Sequence, residues 1–153
     1  MWNDSGALYG SQPEFLSELK EKNCTFTILG GENAVSAKLA DEVGKYGEVD
    51  RLAGNTRMET SVLVAEKYFD APETAVLAYA WNYPDGLCGG SLAYALKAPL
   101  ILTMPKYEQA AVDYAAENDI TVGYVLGGDG LIGDAEVRAI FAMAAADQIV
   151  VKN

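Results

Sequence analysis

Residues Phe15–Lys38 read FLSELKEKNCTFTILGGENAVSAK, and Val112–Ala135 repeat the pattern without a gap as VDYAAENDITVGYVLGGDGLIGDA. The shift of 97 residues carries Gly30-Gly31 onto Gly127-Gly128. Each copy predicts an amphipathic helix, a short apolar strand, a Leu-Gly-Gly turn and the start of another helix. A period of this length is the size of a domain, so the repeat predicts an array of domains rather than a small solenoid.

Helical and extended apolar patterns alternate through the whole chain, at roughly 25 residues per strand–helix unit. This alternation predicts an α/β fold, a Rossmann-like and mostly parallel sheet flanked by helices. The strand patterns fall at Thr25–Leu29, Val49–Ala53, Thr74–Tyr79, Leu100–Thr103, Thr121–Leu126 and Ile149–Val151. The helical patterns fall at Pro13–Lys22, Ala34–Tyr46, Arg57–Phe69, Asp85–Lys97, Glu108–Asn118 and Gly133–Ala145. The third strand is continuously apolar, so we expect it near the centre of the sheet.

Length and charge narrow the class of protein. Half of the 153 residues are apolar, so we expect residues 1–12 to form an N-terminal tail and residues 13–153 a single α/β domain. The net charge of −11 disfavours nucleic acid as a partner, because nucleic-acid binding needs a concentrated basic face. No apolar run reaches the roughly 18 residues of a membrane span. Cys24 and Cys88 lack the spacing of a disulfide framework, and we expect buried thiols.

Residues that usually perform catalysis are scarce. Histidine is absent, which removes the commonest general base and metal ligand. Ser61 and Cys88 could act as nucleophiles only with an unusual partner such as lysine, and no spacing in the chain supports one. The sequence therefore predicts a protein that is not an enzyme, with no cofactor and no metal site.

One glycine motif keeps a nucleotide-binding alternative open. Gly128–Gly133 (GDGLIG) matches G-x-G-x-x-G after a predicted strand and before a predicted helix, where a pyrophosphate could bind. The earlier copy, Gly31–Ser36 (GENAVS), lacks the later glycines, so the shared turn does not need them. The acidic residue expected about 20 positions further on is offered only by Asp147, which precedes the next strand. A tight structural turn is the favoured interpretation.

Two strand ends carry more polar and aromatic chemistry than a generic fold requires. Arg51–Ser61 (RLAGNTRMETS) places two arginines around a glycine turn, and arginine suits bidentate contact with carboxylate or phosphate. Ala80–Gly86 (AWNYPDG) places a tryptophan, Asn82 and Asp85 at another strand end, which suits a ligand with sugar-like hydroxyls and apolar faces. The structural alternative is that Arg57 pairs with Asp85 or Glu59, Asp85 caps a helix and Trp81 packs.

Together these segments resemble a repeat of the cell-wall-binding repeat type 2 (CWB2) family. The family's repeat runs R-x-x-G-x-x-R-(Y/F)-x-T-(S/A), N-(F/Y)-x-D-(A/G)-L-(A/S), K-x-x-P-(I/L)-L-L-(T/V) and V-x-(I/L)-(G/L)-G. The matching segments here are Arg51–Ser61, Asn82–Leu87, Lys97–Thr103 and Val125–Gly128. Their order and spacing agree, so residues 51–141 are identified as one full repeat and residues 13–50 as the end of a preceding repeat.

The resemblance implies a fold, a partner and a location. Repeats of this family occur on secreted Gram-positive surface proteins, usually three in tandem, and fold as Toprim-like α/β units in a three-fold arrangement. They hold the protein on the cell wall non-covalently through an anionic secondary cell-wall polymer. This chain would then act in a tandem-repeat pseudo-trimer or as a homotrimer. Its expected place is the cell surface.

The resemblance also implies which residues contact the polymer. The segment implicated in attachment corresponds to Pro99-Leu100-Ile101-Leu102. The full set of candidate ligand-binding residues is Arg51, Asn55, Arg57, Asn82, Asp85, Lys97, Pro99, Leu100, Ile101 and Leu102. True Toprim enzymes need a D-x-D pair, and no D-x-D occurs here, so we expect no magnesium chemistry. Two rival hypotheses stay open: a nucleotide- or phosphate-binding domain that uses Gly127–Gly133, and a purely structural repeat for self-association.

Overall fold

A computed structural model describes residues 7–143, within which six helices alternate with five strands. The chain divides into two compact units between Asn55 and Thr56. The expectation of a single domain over residues 13–153 stays a prediction. The predicted strand Ile149–Val151 and the last two residues of the predicted helix Gly133–Ala145 lie outside the described residues.

The first unit is built around a pair of parallel strands. Its elements are α1 (Gln12–Glu21), β1 (Phe26–Leu29), α2 (Ala37–Gly44) and β2 (Val49–Leu52). Phe26 lies opposite Val49, and Leu29 lies opposite Leu52. The helix predicted from Ala34 begins only at Ala37, because the Ser36 hydroxyl accepts the Leu39 N–H at 3.3 Å and caps the helix there.

The second unit is a parallel sheet between helices. Its elements are α3 (Arg57–Tyr68), β3 (Thr74–Tyr79), α4 (Pro84–Leu96), β4 (Leu100–Thr103), α5 (Gln109–Glu117), β5 (Val122–Leu126) and α6 (Asp134–Ile140). The strand order is β4-β3-β5, and both pairings are parallel. The predicted α/β fold with a parallel sheet flanked by helices is confirmed, and β3 is the central strand as expected.

The sheet of the second unit buries both faces. Leu77 and Ile101 pack on one face against residues of α3, α5 and α6, whereas Val76 packs on the other face against Ala93 of α4. Each helix that joins two parallel strands must return the chain from the carboxyl edge of the sheet to the amino edge. α4 therefore begins at the carboxyl edge and ends at the amino edge.

The two copies of the sequence repeat fold into the same turn. In each copy, the N–H groups three and four residues after the second glycine donate to the carbonyl of that glycine. The distances are 2.9 Å for both bonds to Gly31, and 2.9 and 3.3 Å for those to Gly128. The first glycines, Gly30 and Gly127, have φ of +106° and +113°, which favour glycine because a Cβ is strained there.

A one-residue difference separates the copies just before the strand. The Cys24 N–H donates to the Leu19 carbonyl, and the Ile120 N–H donates to the Ala115 carbonyl, each at 3.1 Å. These equivalent bonds are 96 residues apart, whereas the glycine turns are 97 residues apart. The second copy therefore contains one more residue between this hydrogen bond and the glycine turn.

Candidate functional site

The carboxyl edge of the second unit carries an exposed arginine beside an exposed tryptophan. The Thr56 hydroxyl caps α3 by accepting the Glu59 N–H at 3.1 Å, which places Arg57 in the first helical turn. Nη1 of Arg57 donates to the Ala80 carbonyl at 3.0 Å, and the guanidinium lies 5.6 Å from the centre of the Trp81 ring. That distance is within the range of a cation–π contact. We refer to these two side chains as the Arg57–Trp81 pair.

Trp81 was not among the predicted ligand-binding residues, although its segment was. The side chain is 67% exposed, which disfavours the structural alternative in which Trp81 only packs. The signal in the sequence was its position directly after a buried strand, where the chain leaves the sheet.

Asn82 and Asp85 follow the pair along the chain. Asn82 is exposed. Asp85 is half-buried in the first turn of α4, where its negative charge interacts favourably with the positive end of the helix dipole. Oδ2 of Asp85 lies 3.2 Å from the position that a Cβ would occupy on Gly127. The end of β3 and the glycine turn after β5 therefore meet at this edge.

Arg51 lies in the first unit and has a structural bond of its own. It is half-buried on β2, and its Nη1 donates to the Gly30 carbonyl at 2.6 Å. This bond holds the glycine turn that follows β1. Asn55 is exposed and is the last residue of the first unit.

The remaining predicted residues lie at the amino edge of the second unit or inside it. Lys97 is exposed directly after α4, whose 13 residues span about 20 Å. Pro99 and Ile101 are fully buried, and Leu100 and Leu102 are half-buried on β4. The structure therefore brings Arg57, Asn82 and Asp85 to one edge, and places Lys97 at the other.

The serine and the two cysteines considered in the sequence analysis have structural contacts or lie exposed. The Ser61 hydroxyl donates to the Met58 carbonyl at 2.7 Å and accepts the Leu102 N–H at 2.9 Å, which ties α3 to the outer edge of β4. Cys24 and Cys88 are free thiols. The expectation that both are buried is wrong, because Cys88 lies on the outer face of α4 and is exposed.

The glycine loop of the nucleotide-binding alternative is unfavourable for a phosphate. The N–H groups of Leu131 and Ile132 already donate to the Gly128 carbonyl. Three acidic residues follow within the loop and the first turn of α6: Asp129, Asp134 and Glu136. Their negative charge opposes an anion at this helix start.

Two further properties concern residues 7–143 as a whole. No helix there has the length and apolar character needed to cross a bilayer. Nor does that part of the chain gather three metal-ligating His, Cys, Asp or Glu side chains in one place.

Solved structures and curated relatives resemble parts of the chain. Cwp8 and Cwp6 from Clostridium difficile match 76% of this chain with TM-scores of 0.60 and 0.59, at 23% and 24% identity, which shows a shared fold. This chain spans only 19% of either of those chains. Uncharacterized proteins of Pyrococcus abyssi and Pyrococcus horikoshii are each 33% identical over 78 residues. That match covers half of this chain and 23% and 24% of the two relatives.

A family model identifies the repeat directly. The model of cell wall binding domain 2 (CWB2) matches residues 51–137, which is more than half of the chain. The match includes the arginine segment, the strand-end segment, β4 and the second glycine turn. The chain therefore belongs to the cell wall binding domain 2 family.

Proposed function

We propose that this chain is a non-catalytic attachment module that holds a secreted surface protein on a Gram-positive wall through an anionic secondary polymer. Membership of a cell wall binding family supports the wall as the target. The Arg57–Trp81 pair is the single observation that carries the choice of ligand. A guanidinium can bind a phosphate or carboxylate of the polymer, and an exposed indole offers an apolar face to a sugar ring.

The pair is well suited to binding because it is held in place before a ligand arrives. The bond from Arg57 to the Ala80 carbonyl fixes the guanidinium, so less side-chain entropy is lost on binding. The exposed Asn82, the residue after Trp81, adds an amide donor and acceptor to this segment. The Asp85 carboxylate repels the anionic groups of the polymer and so restricts how the polymer can lie.

The Pro99–Leu102 segment takes a supporting role in this proposal. Pro99 and Ile101 fill the core, and the Leu102 N–H donates to the Ser61 hydroxyl, so the segment positions β4. Lys97 offers a separate positive charge at the amino edge. We infer that it contributes a second, weaker contact to a polymer long enough to reach both edges.

Co-sedimentation with isolated Gram-positive walls tests the function and the site separately. Wild-type chain should sediment with walls that carry the polymer and not with walls stripped of it. Failure to sediment with either would refute the function. Arg57→Gln and Trp81→Ala should each lower the affinity about tenfold, the loss of roughly one charge-assisted hydrogen bond or stacking contact.

The chain offers a matched control for these variants. Lys67 lies 5.7 Å from the centre of the Tyr68 ring, at the far end of the same helix. Lys67→Gln and Tyr68→Ala remove the same kinds of group from the amino edge, where only the weaker Lys97 contact is proposed, and should lower the affinity far less than Arg57→Gln does. If Arg57→Gln also binds like the wild type, while circular dichroism shows it folded, the proposed site is wrong.

A further inference from the structure

One exposed face of α4 is uncharged and partly aromatic. Tyr83, Leu87 and Tyr94 are 78%, 72% and 88% exposed. The Leu87 N–H donates to the Tyr83 carbonyl at 2.9 Å, so Tyr83 continues the helical register at the start of α4. These residues are four and seven positions apart and therefore share one face of the helix. Gly90 and Ser91, both exposed, lie on the same face. We refer to these five residues as the α4 strip.

The α4 strip differs from the surfaces of the other helices in residues 7–143. Each of α1, α2, α3, α5 and α6 carries two or more carboxylates. α4 carries one, that of Asp85, which is half-buried and lies near the glycine turn after β5. In a chain with a net charge of −11, an anionic polymer that follows the α4 strip meets no carboxylate within the strip itself.

A cationic residue lies at each end of α4. The helix begins at the carboxyl edge, where Arg57 binds the Ala80 carbonyl beside Trp81. It ends at the amino edge, where the exposed Lys97 follows directly. The 13 residues of α4 between them span about 20 Å. The α4 strip therefore joins the two positive groups that the proposed function already assigns to the polymer.

The side chains of the α4 strip are chemically suited to sugar rings. An exposed tyrosine offers an apolar ring face and a hydroxyl that both donates and accepts. A sugar ring has a matching apolar C–H face and a rim of hydroxyl groups. Gly90 and Ser91 have short side chains, and nothing lies within 4 Å of the Cβ position of Gly90. They leave room for a ring between Leu87 and Tyr94.

We propose that the polymer binds along the α4 strip, from the Arg57–Trp81 pair to Lys97, with neutral sugar rings on the exposed apolar side chains. The order of cation, uncharged strip and cation matches a polysaccharide in which neutral sugars separate the anionic groups. The inference rests on the proposed wall-polymer function, and adds the path of the polymer and the kind of repeating unit.

Polymer fragments of graded length, released from Gram-positive walls, test this path. The affinity of the wild-type chain should rise with length until a fragment spans about 20 Å, and should then level off. Ser91→Glu puts a negative charge in the middle of the α4 strip and should lower the affinity for such long fragments about tenfold. Fragments too short to reach Ser91 from the Arg57–Trp81 pair should keep the wild-type affinity.

A variant of α5 is the matched control for the added charge. Ala116 is exposed on α5, which packs on the opposite face of the sheet from α4. Ala116→Glu changes the net charge by the same amount as Ser91→Glu, and should leave the affinity for long fragments within about twofold of the wild type. Equal losses in the two variants would overturn the proposal, because only the overall charge would then matter.

Tyr94→Ser tests the α4 strip without a change of charge. It should lower the affinity for long fragments about tenfold through the loss of one ring contact. Because Tyr94 is exposed, the variant should keep the wild-type circular dichroism spectrum. Binding that requires Arg57 but is the same for every fragment length would refute the path along α4 and leave the wall-binding function standing. Failure to bind any fragment or intact walls would refute both.

Sedimentation velocity distinguishes the polymer from a second copy of this chain. Ser91→Glu should leave the oligomeric state in the absence of polymer unchanged. A shift of that variant to smaller species would overturn the proposal, because the α4 strip would then lie between copies of the chain.

Discussion

At the scale of residues, two arginines six positions apart bind backbone carbonyls that follow parallel strands. Arg51 binds the carbonyl of Gly30 after β1, and Arg57 binds that of Ala80 after β3. A planar guanidinium with five donors can hold such a carbonyl and keep other donors for a ligand. The R-x-x-G-x-x-R segment is therefore structural at both arginines, and the exposed Arg57 is also suited to binding.

The Gly127 turn should be intolerant of a side chain. Gly127→Ala should lower the free energy of unfolding by about 2 kcal/mol, because φ is +113° and the new Cβ would lie 3.2 Å from Oδ2 of Asp85. The neighbouring Gly128 has nothing within 4 Å of its Cβ position. Gly128→Ala should therefore stay within about 0.5 kcal/mol of the wild type in urea unfolding. Equal losses in the two variants would contradict this account of the turn.

Tyr114 should make the second unit sensitive to alkaline pH. Its hydroxyl is buried with no hydrogen-bond partner among residues 7–143. Burial, and to a lesser extent the Glu66 carboxylate, raises the pKa of Tyr114 above its usual 10.0. The unfolded chain loses this proton at a lower pH than the folded chain does. The free energy of unfolding is therefore unaffected by this group below about pH 10, and it falls as the pH rises towards the folded pKa.

Tyr114→Phe should remove that part of the alkaline decline. At pH 7 the variant should be neutral or more stable by up to about 1 kcal/mol, because an unsatisfied buried hydroxyl is removed. Urea unfolding at pH 7 and at about pH 11 measures both effects. Tyr107→Phe removes a hydroxyl from an exposed side chain and should keep the wild-type decline. An unchanged decline in Tyr114→Phe would refute the assignment.

At the scale of elements, α4 is the part of the molecule with the most unusual composition. It carries no charge between Asp85 and its end at Leu96, and its outer face exposes Leu87 and Tyr94. Its inner face lies close to the sheet at Gly89, where a Cβ would be 2.6 Å from Cδ1 of Leu100 and 2.7 Å from Cδ1 of Leu126. The glycine therefore sets how closely the helix packs.

Two adjacent glycines of α4 should respond in opposite directions to the same change. Gly89→Ala should destabilise the chain by about 1–3 kcal/mol, because the methyl group overpacks the contact with β4 and β5. Gly90 is exposed with nothing within 4 Å, so Gly90→Ala should stabilise the helix by up to about 1 kcal/mol. Thermal unfolding of both variants measures the difference, and a stabilising Gly89→Ala would show that the close approach does not hold.

Most elements could be predicted from the sequence because apolar periodicity controls them. The continuous apolar run of β3 indicated the central strand. Most of the predicted strand ends lie within one residue of those in the structure. The position of Lys97 relative to Arg57 was harder to foresee. The sequence analysis listed both residues as ligand-binding candidates without a spatial arrangement, and α4 places Lys97 at the edge opposite Arg57. The exposure of Trp81 depends on tertiary packing. The apolar periodicity of the sequence predicts helices and strands, but not how a residue between them packs.

At the scale of the whole molecule, the net charge affects how fast the proposed anionic polymer can approach. The net charge of −11 repels such a polymer at long range, whereas Arg57 attracts it only in contact. The long-range repulsion is the more easily screened of the two. The proposed contact at Arg57 and the net charge that opposes binding would therefore act over different distances.

The association rate should consequently rise with moderate salt. Raising the ionic strength from about 0.01 M to about 0.15 M shortens the Debye length from about 30 Å to about 8 Å, which removes most of the repulsion. A further increase to about 1 M should weaken the contact at Arg57 and increase the dissociation rate. Biolayer interferometry on immobilised polymer measures both rates. An association rate that falls steadily over the first range would mean that local positive charge dominates the approach.

The position of β2 has a consequence for how such proteins can change their number of repeats. Arg51, where the family match begins, lies inside β2, and β2 is paired with β1 of the first unit. The family match thus begins inside a strand, before the folded unit ends at Asn55. Recombination at the start of a match would carry a strand away from the neighbour that it completes. We therefore expect an exchange at that point to alter the folding unit on each side of it.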